Sequence, residues 1–160
     1  MIKYVPRMTS VVLEEIPDRI TLALEISNCQ GNCVGCHSPF LRSDIGEELT
    51  PDVVDALIAD NFGVNCFLLL GEGNDLQALL GIARHLRERH PRIETALYSG
   101  RESVSEQEIW DLFDYVKTGP YKAECGPLNS RTTNQRLYHH GEDITSRFWH
   151  RGIDPAASKA

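Results

Sequence analysis

The amino-acid sequence predicts an α/β fold, a single-domain partial (open) β/α barrel with a mostly parallel sheet. Strand-like and helix-like segments alternate along most of the chain, which is the pattern of repeated βα units. One segment, 65–70 (NCFLLL), is continuously apolar, as is typical of a strand buried on both faces of a parallel sheet. The units are too few to close an eight-stranded barrel. For 160 residues we expect one domain over 1–150 and a flexible tail over 151–160.

The strands are predicted from periodicity and from the turns that bound them. In the segment 19–27 (RITLALEIS), apolar residues alternate with other residues, which is the period-two pattern of a strand. Residues 137–139 and 143–145 are expected to pair as a hairpin across a turn at 140–142. The remaining strands are predicted at 10–14, 93–98 and 115–118.

The helices are predicted from their first and last residues. Thr50 is a favourable N-cap and Pro51 stands at the first helical position, where a missing N–H costs nothing. The second helix is expected over 76–90, because leucines recur there at helical spacing and Pro91 follows. Ser105 and Glu108 have the spacing of a capping box at the start of the third helix.

The segments that follow the predicted parallel strands are expected to form the functional site. The carboxyl ends of such strands meet at one edge of the sheet, where α/β proteins bind their ligands. Four segments fall at this edge: a cysteine-rich loop after 19–27, GEGND at 71–75, YSGR at 98–101 and TGPY at 118–121.

Charge and composition exclude several classes of function. The formal net charge of −7 argues against binding to nucleic acid or to an anionic membrane, since both require a basic surface. The longest apolar run, Cys66–Leu70, is far too short to span a bilayer. The N-terminal stretch MIKYVPRMTS lacks the apolar run of a targeting segment. We therefore expect a cytoplasmic protein without a membrane partner.

The loop 27–40 (SNCQGNCVGCHSPF) holds three of the five cysteines, Cys29, Cys33 and Cys36. In a reducing compartment such a cluster indicates metal or redox chemistry rather than disulfides. Cys33, Cys36 and His37 also form the C-x-x-C-H pattern of haem attachment, which requires an oxidising compartment. Structural zinc requires four ligands, and a fourth would have to come from His37 or from a distance. The distant candidates are Cys66, Cys125, His139 and His140.

The spacing C-x3-C-x2-C favours an iron–sulfur cluster over haem and over zinc. One loop with this spacing can place thiolates on three corners of a [4Fe–4S] cube. No fourth cysteine lies in the loop, so one iron would remain open to a substrate or cofactor. Gly31 and Gly35 allow the backbone to approach the cluster and to donate N–H groups to its sulfurs.

Beyond the loop, further segments of the chain resemble a known family. The cysteine spacing is that of radical S-adenosylmethionine (SAM) enzymes. The segments ISNCQGNCVGCHSPFL, ALYSGR, FDYVKTGPY, TTNQRLY and EDITSRFW resemble the activating proteins of anaerobic ribonucleoside-triphosphate reductase. This resemblance extends from about Val11 to Trp149.

The resemblance implies the cofactors, the reaction and the electron donor of the protein. Cys29, Cys33 and Cys36 would hold a [4Fe–4S] cluster, and SAM would bind the open iron. Gly35, Cys36 and His37 would bind SAM, with Gly35 and His37 along its adenine side. Reduction would split SAM into methionine and a 5′-deoxyadenosyl radical. That radical would remove hydrogen from a glycine of the reductase subunit and leave a glycyl radical there. A flavodoxin or ferredoxin would supply the electron.

The chain departs from the family pattern at the turn after the second barrel strand. The family has adjacent glycines followed by an acidic residue, whereas Glu72 stands here between Gly71 and Gly73. Glu72 or Asp75 is expected to meet the SAM ammonium group.

Tyr98 and Ser99 are predicted to line the same pocket at the end of the third barrel strand. Cys66 is expected to be a core residue, Cys125 a free thiol, and the pair His139 and His140 an exposed turn. Two other classes remain open. One is a radical SAM enzyme that acts on a small molecule, and the other is a zinc or electron-transfer module.

Overall fold

A computed structural model describes residues 1–30 and 39–149, and one seven-stranded sheet forms the centre of this part. The predicted tail 151–160 lies outside the described residues. The nine strands are β1 (Lys3–Tyr4), β2 (Ser10–Val12), β3 (Thr21–Glu25), β4 (Glu47–Glu48), β5 (Cys66–Leu70), β6 (Glu94–Tyr98), β7 (Tyr115–Thr118), β8 (Arg136–His139) and β9 (Glu142–Asp143). The α-helices are α1 (Pro51–Asp60), α2 (Leu76–Arg89) and α3 (Gln107–Leu112).

The large sheet has a parallel centre and antiparallel edges. Its strand order is β2-β3-β5-β6-β7-β8-β9. Strands β3, β5, β6 and β7 are parallel to one another, while β2 and the hairpin β8–β9 pair antiparallel. The fold is therefore α/β with a mixed sheet, in which four of the seven strands are parallel. The partial barrel stays a prediction.

Each face of this sheet has its own apolar core. On the face that α1, α2 and α3 cover, the central strands contribute Leu22, Leu24, Phe67, Leu69 and Leu97. On the opposite face the buried strand residues are Ala23, Cys66, Leu68, Ala96 and Tyr115, with Ile16 and Ile144 packed among them. Because successive side chains point to opposite faces, a strand between two cores must be apolar throughout. This explains the sequence of β5.

The N-cap of α1 agrees with the sequence prediction, whereas the N-cap of α3 does not. At α1 the Thr50 hydroxyl accepts a hydrogen bond of 3.2 Å from the Val53 N–H, as predicted.

The prediction of a capping box by Ser105 and Glu108 at α3 is wrong. Glu106 is the N-cap of α3 and makes no side-chain capping bond, and the Ser105 hydroxyl lies 3.4 Å from a Glu106 carboxylate oxygen. The Glu106 carboxylate instead binds the Arg101 guanidinium, which also binds Glu72, so the start of α3 is linked to the turn after β5.

The sequence did not reveal the small antiparallel sheet formed by β1 and β4. Strands of two residues show no periodicity, so only the tertiary structure identifies them. Next to this sheet, the Ser27 N–H donates to the Lys3 carbonyl at 3.1 Å, and the Leu49 N–H donates to the Ile2 carbonyl at 2.9 Å. The N-terminus therefore runs beside the start of the cysteine loop.

In the part of the chain that the structure describes, none of the helices combines the length and the apolar character that crossing a membrane requires.

The two helix starts give a direct test of the capping geometry. Thr50→Ala removes the hydroxyl that binds the Val53 N–H, and we expect the free energy of unfolding to fall by about 1 kcal/mol. Ser105→Ala is the matched control, because the Ser105 hydroxyl caps no helix, and its effect should stay below about 0.5 kcal/mol. Urea denaturation monitored by circular dichroism measures both. Equal losses in the two variants would contradict the assignment.

Candidate functional site

The register of the parallel strands brings the predicted loops to one edge of the sheet. Glu25 is paired with Leu70, Leu70 with Tyr98, and Tyr98 with Lys117. These four residues end, or nearly end, their strands, so the segments that follow begin side by side. The carboxyl edge therefore carries the start of the cysteine loop, the turn at 71–75 and the segments at 99–101 and 119–121.

The two described flanks of the cysteine loop are held together at this edge. The Cys29 N–H donates to the Leu41 carbonyl at 2.9 Å, and the Asn28 N–H donates to the Ser43 carbonyl at 3.2 Å. Asn28 adopts a left-handed conformation, with a φ of 58°, at the turn into the loop. Cys29 is half-buried. The other predicted cluster and cofactor residues of the loop, Gly35, Cys36, His37 and the ligand Cys33, lie outside the described residues.

Glu72 is the centre of a polar network beside the loop. One Glu72 carboxylate oxygen accepts hydrogen bonds from the Ser99 hydroxyl at 2.5 Å and from the Arg101 Nε at 3.0 Å. Its other oxygen accepts a bond of 2.7 Å from the Arg101 guanidinium. The same guanidinium binds Glu106, and these two carboxylates raise the Arg101 pKa. Glu72 is therefore fixed in orientation by residues that follow β6.

The glycines on either side of Glu72 permit this arrangement. Gly71 and Gly73 have φ values of 129° and 67°, a region that favours glycine. A Cβ added to Gly71 would lie 3.4 Å from atoms of Ile26, and one added to Gly73 would lie 3.2 Å from Ile2. The split glycine pair thus lets the turn pack closely on the N-terminal segment while Glu72 points to Ser99.

Asp75, the second expected partner for an ammonium group, already has partners. One of its carboxylate oxygens caps α2 by accepting a bond of 3.1 Å from the Ala78 N–H. The other binds the N-terminal ammonium group of Met1. Both interactions hold the pKa of the Asp75 carboxyl below its usual range. Of the two candidates, Glu72 is the one that reaches Ser99.

Tyr98 and Ser99 lie at this edge, but their polar groups bind protein atoms. The Tyr98 hydroxyl donates to the Glu15 carbonyl, and burial raises the Tyr98 pKa. The Ser99 side chain is fully buried and donates to Glu72. The Ser99 N–H donates to the Lys117 carbonyl at 2.8 Å, which joins the segments after β6 and β7. Ser99 therefore positions the Glu72 carboxylate, whereas Tyr98 holds the backbone at Glu15.

Glu25 and Lys117, two charged residues on the sheet face of Tyr98, were not identified from the sequence. Glu25 ends β3, and burial raises its carboxyl pKa, with a further rise from Glu15. Lys117 is 7% exposed, lies 5.3 Å from the Tyr98 ring centroid and donates to the Gly119 carbonyl at 3.0 Å. A charged residue at the end of an otherwise apolar strand, as in LALE, is the signal that identifies them.

Three of the distant residues considered as a fourth metal ligand, Cys66, His139 and His140, lie away from the carboxyl edge. Cys66 begins β5 and is fully buried, and burial raises its thiol pKa to about 12, as expected of a core residue. It stands a strand length, about 13 Å, from the carboxyl edge.

His139 pairs with Tyr115 at the same amino-terminal edge of the sheet. His139 is half-buried against Glu94, whereas His140 is exposed, so only the second fits the predicted exposed turn.

Cys125 lies in the irregular segment between β7 and β8. It is half-buried, and its carbonyl accepts a hydrogen bond of 2.6 Å from the Thr132 hydroxyl. Because the Cys125 carbonyl and not its thiol makes this bond, the bond does not indicate a role for the thiol.

Comparisons of the chain with protein-family models, with curated proteins and with solved structures found no match. Thiolates from the cysteine loop are suited to metals, and the oriented Glu72 carboxylate is suited to a cationic group. The described start of the loop, with Cys29, and the Glu72 carboxylate both lie at the carboxyl edge of the sheet.

The pKa of Glu25 gives a testable pH dependence. A carboxyl whose pKa is raised in the folded state favours folding at pH values below its unfolded pKa of about 4.3, where it is protonated in both states. That contribution is lost as the pH rises through the folded pKa. Glu25→Gln imitates the protonated form, so this variant should unfold at higher urea concentration than the wild type at pH 7. The difference should shrink at pH 4.

An exposed glutamate provides the control for this measurement. Glu48→Gln changes the same functional group on β4, where the side chain is exposed, and should leave the urea midpoint nearly unchanged at both pH values. If Glu25→Gln were no more stable than the wild type at pH 7, the Glu25 carboxylate would have to make a compensating polar contact.

Proposed function

We propose that the chain is a radical SAM activating enzyme that generates a glycyl radical on an anaerobic ribonucleoside-triphosphate reductase. The observation that carries the proposal is the C-x3-C-x2-C spacing of Cys29, Cys33 and Cys36. Support comes from the position of the loop's described flanks at the carboxyl edge of four parallel strands, beside an oriented carboxylate. The proposal includes a partial-barrel fold, a cytoplasmic location and a flavodoxin or ferredoxin as electron donor.

The donor set fits a [4Fe–4S] cluster. Three thiolates of one loop would hold three irons, and Cys29 stands half-buried where that loop leaves β3. When bound, the cluster and SAM supply the one-electron chemistry that produces a hydrogen-abstracting radical. The protein's own contribution is to place the two groups beside each other and to limit the access of water and oxygen.

Glu72 is proposed as the residue that orients SAM through its ammonium group. A carboxylate can accept about four hydrogen bonds, and three of these positions on Glu72 are used by Ser99 and Arg101. The remaining position has a fixed direction, because Arg101 and Ser99 hold the carboxylate in place. An ordered acceptor binds a cation without a further loss of side-chain entropy.

The charge at this edge also suits a cationic ligand. The carboxyl groups of Glu25, Glu72 and Glu106 stand at this edge against the basic side chains of Arg101 and Lys117. SAM carries a sulfonium and an ammonium group, which a carboxylate-rich edge attracts. We therefore propose this edge as the binding site of SAM.

Electron paramagnetic resonance tests the proposal. We expect anaerobically reconstituted, dithionite-reduced protein to show a [4Fe–4S] signal whose g-values change when SAM is added. Cys29→Ala removes a cluster ligand and should abolish this signal. Cys125→Ser is the matched control, because Cys125 lies outside the loop, and it should leave the signal and its response to SAM unchanged.

Three further results decide between the classes of function. Uptake of zinc in place of iron would indicate a structural role for the loop. A cluster signal that does not respond to SAM would indicate an electron-transfer role. A SAM-responsive cluster that produces no glycyl radical in a co-expressed anaerobic reductase would indicate a radical SAM enzyme with a small-molecule substrate.

The role of Glu72 is tested separately through SAM affinity. Glu72→Gln removes the negative charge from the proposed ammonium site, and a hydrogen bond to a charged group contributes about 1.5–3 kcal/mol. We expect the dissociation constant for SAM to rise at least about tenfold in equilibrium binding to the reconstituted protein. Glu106→Gln is the control, since it removes the other carboxylate bound to Arg101. Equal weakening in both variants would show that Arg101, and not Glu72, governs binding.

A further inference from the structure

A carboxylate and two imidazoles converge on the helical side of the sheet, away from the cysteine loop. Asp55 lies within α1, His85 lies in α2, and His90 is the C-cap of α2. The Nε2 atoms of both histidines lie 2.7 Å from the same Asp55 carboxylate oxygen. Both histidines are partly buried, with side-chain exposures of 17% and 22%. Because α2 ends just before β6 begins, the cluster lies near the amino-terminal edge of the parallel strands.

The way α2 ends creates this arrangement. Two residues five apart on a regular helix are separated by about 140° around its axis, so His85 and His90 would not share a face. His90 has left the helical conformation, with φ −130° and ψ 60°, while its N–H still donates to the Leu86 carbonyl at 2.8 Å. Its ring therefore meets that of His85 edge to face, with 5.9 Å between the centroids.

We propose that Asp55, His85 and His90 form a binding site for a divalent transition metal of the Zn²⁺ class. Imidazole nitrogen and carboxylate oxygen are the ligands that Zn²⁺ and its neighbours prefer, and three protein ligands leave a fourth position for water. With metal–ligand distances of about 2.0–2.1 Å, the ligand atoms of a tetrahedral site stand about 3.3 Å apart. Each histidine Nε2 now lies 2.7 Å from the Asp55 oxygen. Small side-chain rotations would lengthen these two distances to the value that a metal site requires.

Two features favour a cation at this position, although the last turn of α2 also carries Arg87 and Arg89. The hydrogen bonds from His90 and His85 hold the Asp55 pKa below its usual range, so its carboxylate is charged at neutral pH. The carboxyl end of α2 carries the negative end of the helix dipole, which stabilises positive charge nearby. A bound metal would therefore join α1 to the end of α2 and favour the folded chain by mass action.

A second group of similar composition is less suitable, which makes it a control. Glu94, His139 and His140 also bring their ligand atoms within 4.8 Å of one another. However, the Glu94 carboxylate is paired with the Arg19 guanidinium, a cation that competes with a metal. The His139 ring is stacked on Tyr115, with 4.2 Å between the centroids, which restricts its rotation.

Equilibrium dialysis of the full chain against Co²⁺, a spectroscopic substitute for Zn²⁺, tests the site. We expect the double variant His85→Gln/His90→Gln to bind one Co²⁺ fewer than the wild type, or to bind that ion more than about tenfold more weakly. The control His139→Gln/His140→Gln should bind as many ions as the wild type. Circular dichroism must show both variants folded. Equal binding by all three proteins would overturn the proposal, and so would loss of the ion in the control alone.

A second experiment separates this site from the cysteine loop. In the chain with Cys29→Ala, Cys33→Ala and Cys36→Ala, we expect bound Co²⁺ to show ligand-field absorption without the near-ultraviolet charge-transfer bands of a cobalt–thiolate site. Adding Asp55→Asn should remove that absorption. Its persistence would contradict the site, whereas failure of the cluster chemistry at the loop would leave this result unchanged.

Discussion

The burial of β5 on both faces is the constraint on which the rest of the structure depends. Residues Cys66–Leu70 pair with β3 on one side and with β6 on the other, five residues in register with each. Their side chains enter two separate cores. A one-residue slip would exchange the two sets of side chains between those cores. The register therefore fixes which residues reach the carboxyl edge, and so places Glu25, Leu70 and Tyr98 at the same level.

The polar network at that edge connects segments that the register alone would leave independent. Arg101 binds Glu72 after β5 and Glu106 before α3, while the Arg101 carbonyl accepts a bond of 2.6 Å from the Gly119 N–H after β7. One residue thereby joins three of the segments that border the candidate site. Removing it would leave two carboxylates close together without a shared cation, which is why its effect would extend beyond one hydrogen bond.

Sequence reasoning predicted the elements whose signal is local and missed those that depend on tertiary contacts. Thr50, Pro51 and the apolar run of β5 carry their own structural preferences, so α1 and β5 agree with the structure to within one residue. The start of α3 is linked through Arg101 to the turn after β5, and the sheet of β1 and β4 depends on pairing between residues far apart in sequence. The same distinction applies to the site. The spacing of the loop cysteines is visible in the sequence, whereas the orientation of Glu72 by Arg101 and Ser99 is not.

The two edges of the sheet are suited to different chemistry, and the reason lies in the direction of the chain. At the carboxyl edge the parallel strands lead into the start of the cysteine loop and into the turn that carries Glu72, which Arg101 orients. At the amino-terminal edge the helices end and the hairpin turns, and there the histidines His85, His90, His139 and His140 collect around acidic partners. The carboxyl end of a helix favours positive charge, and imidazole nitrogens are common metal ligands. A metal at His85 and His90 would consequently stabilise the scaffold from the side opposite the cysteine loop, without competing for the acceptor that Glu72 offers.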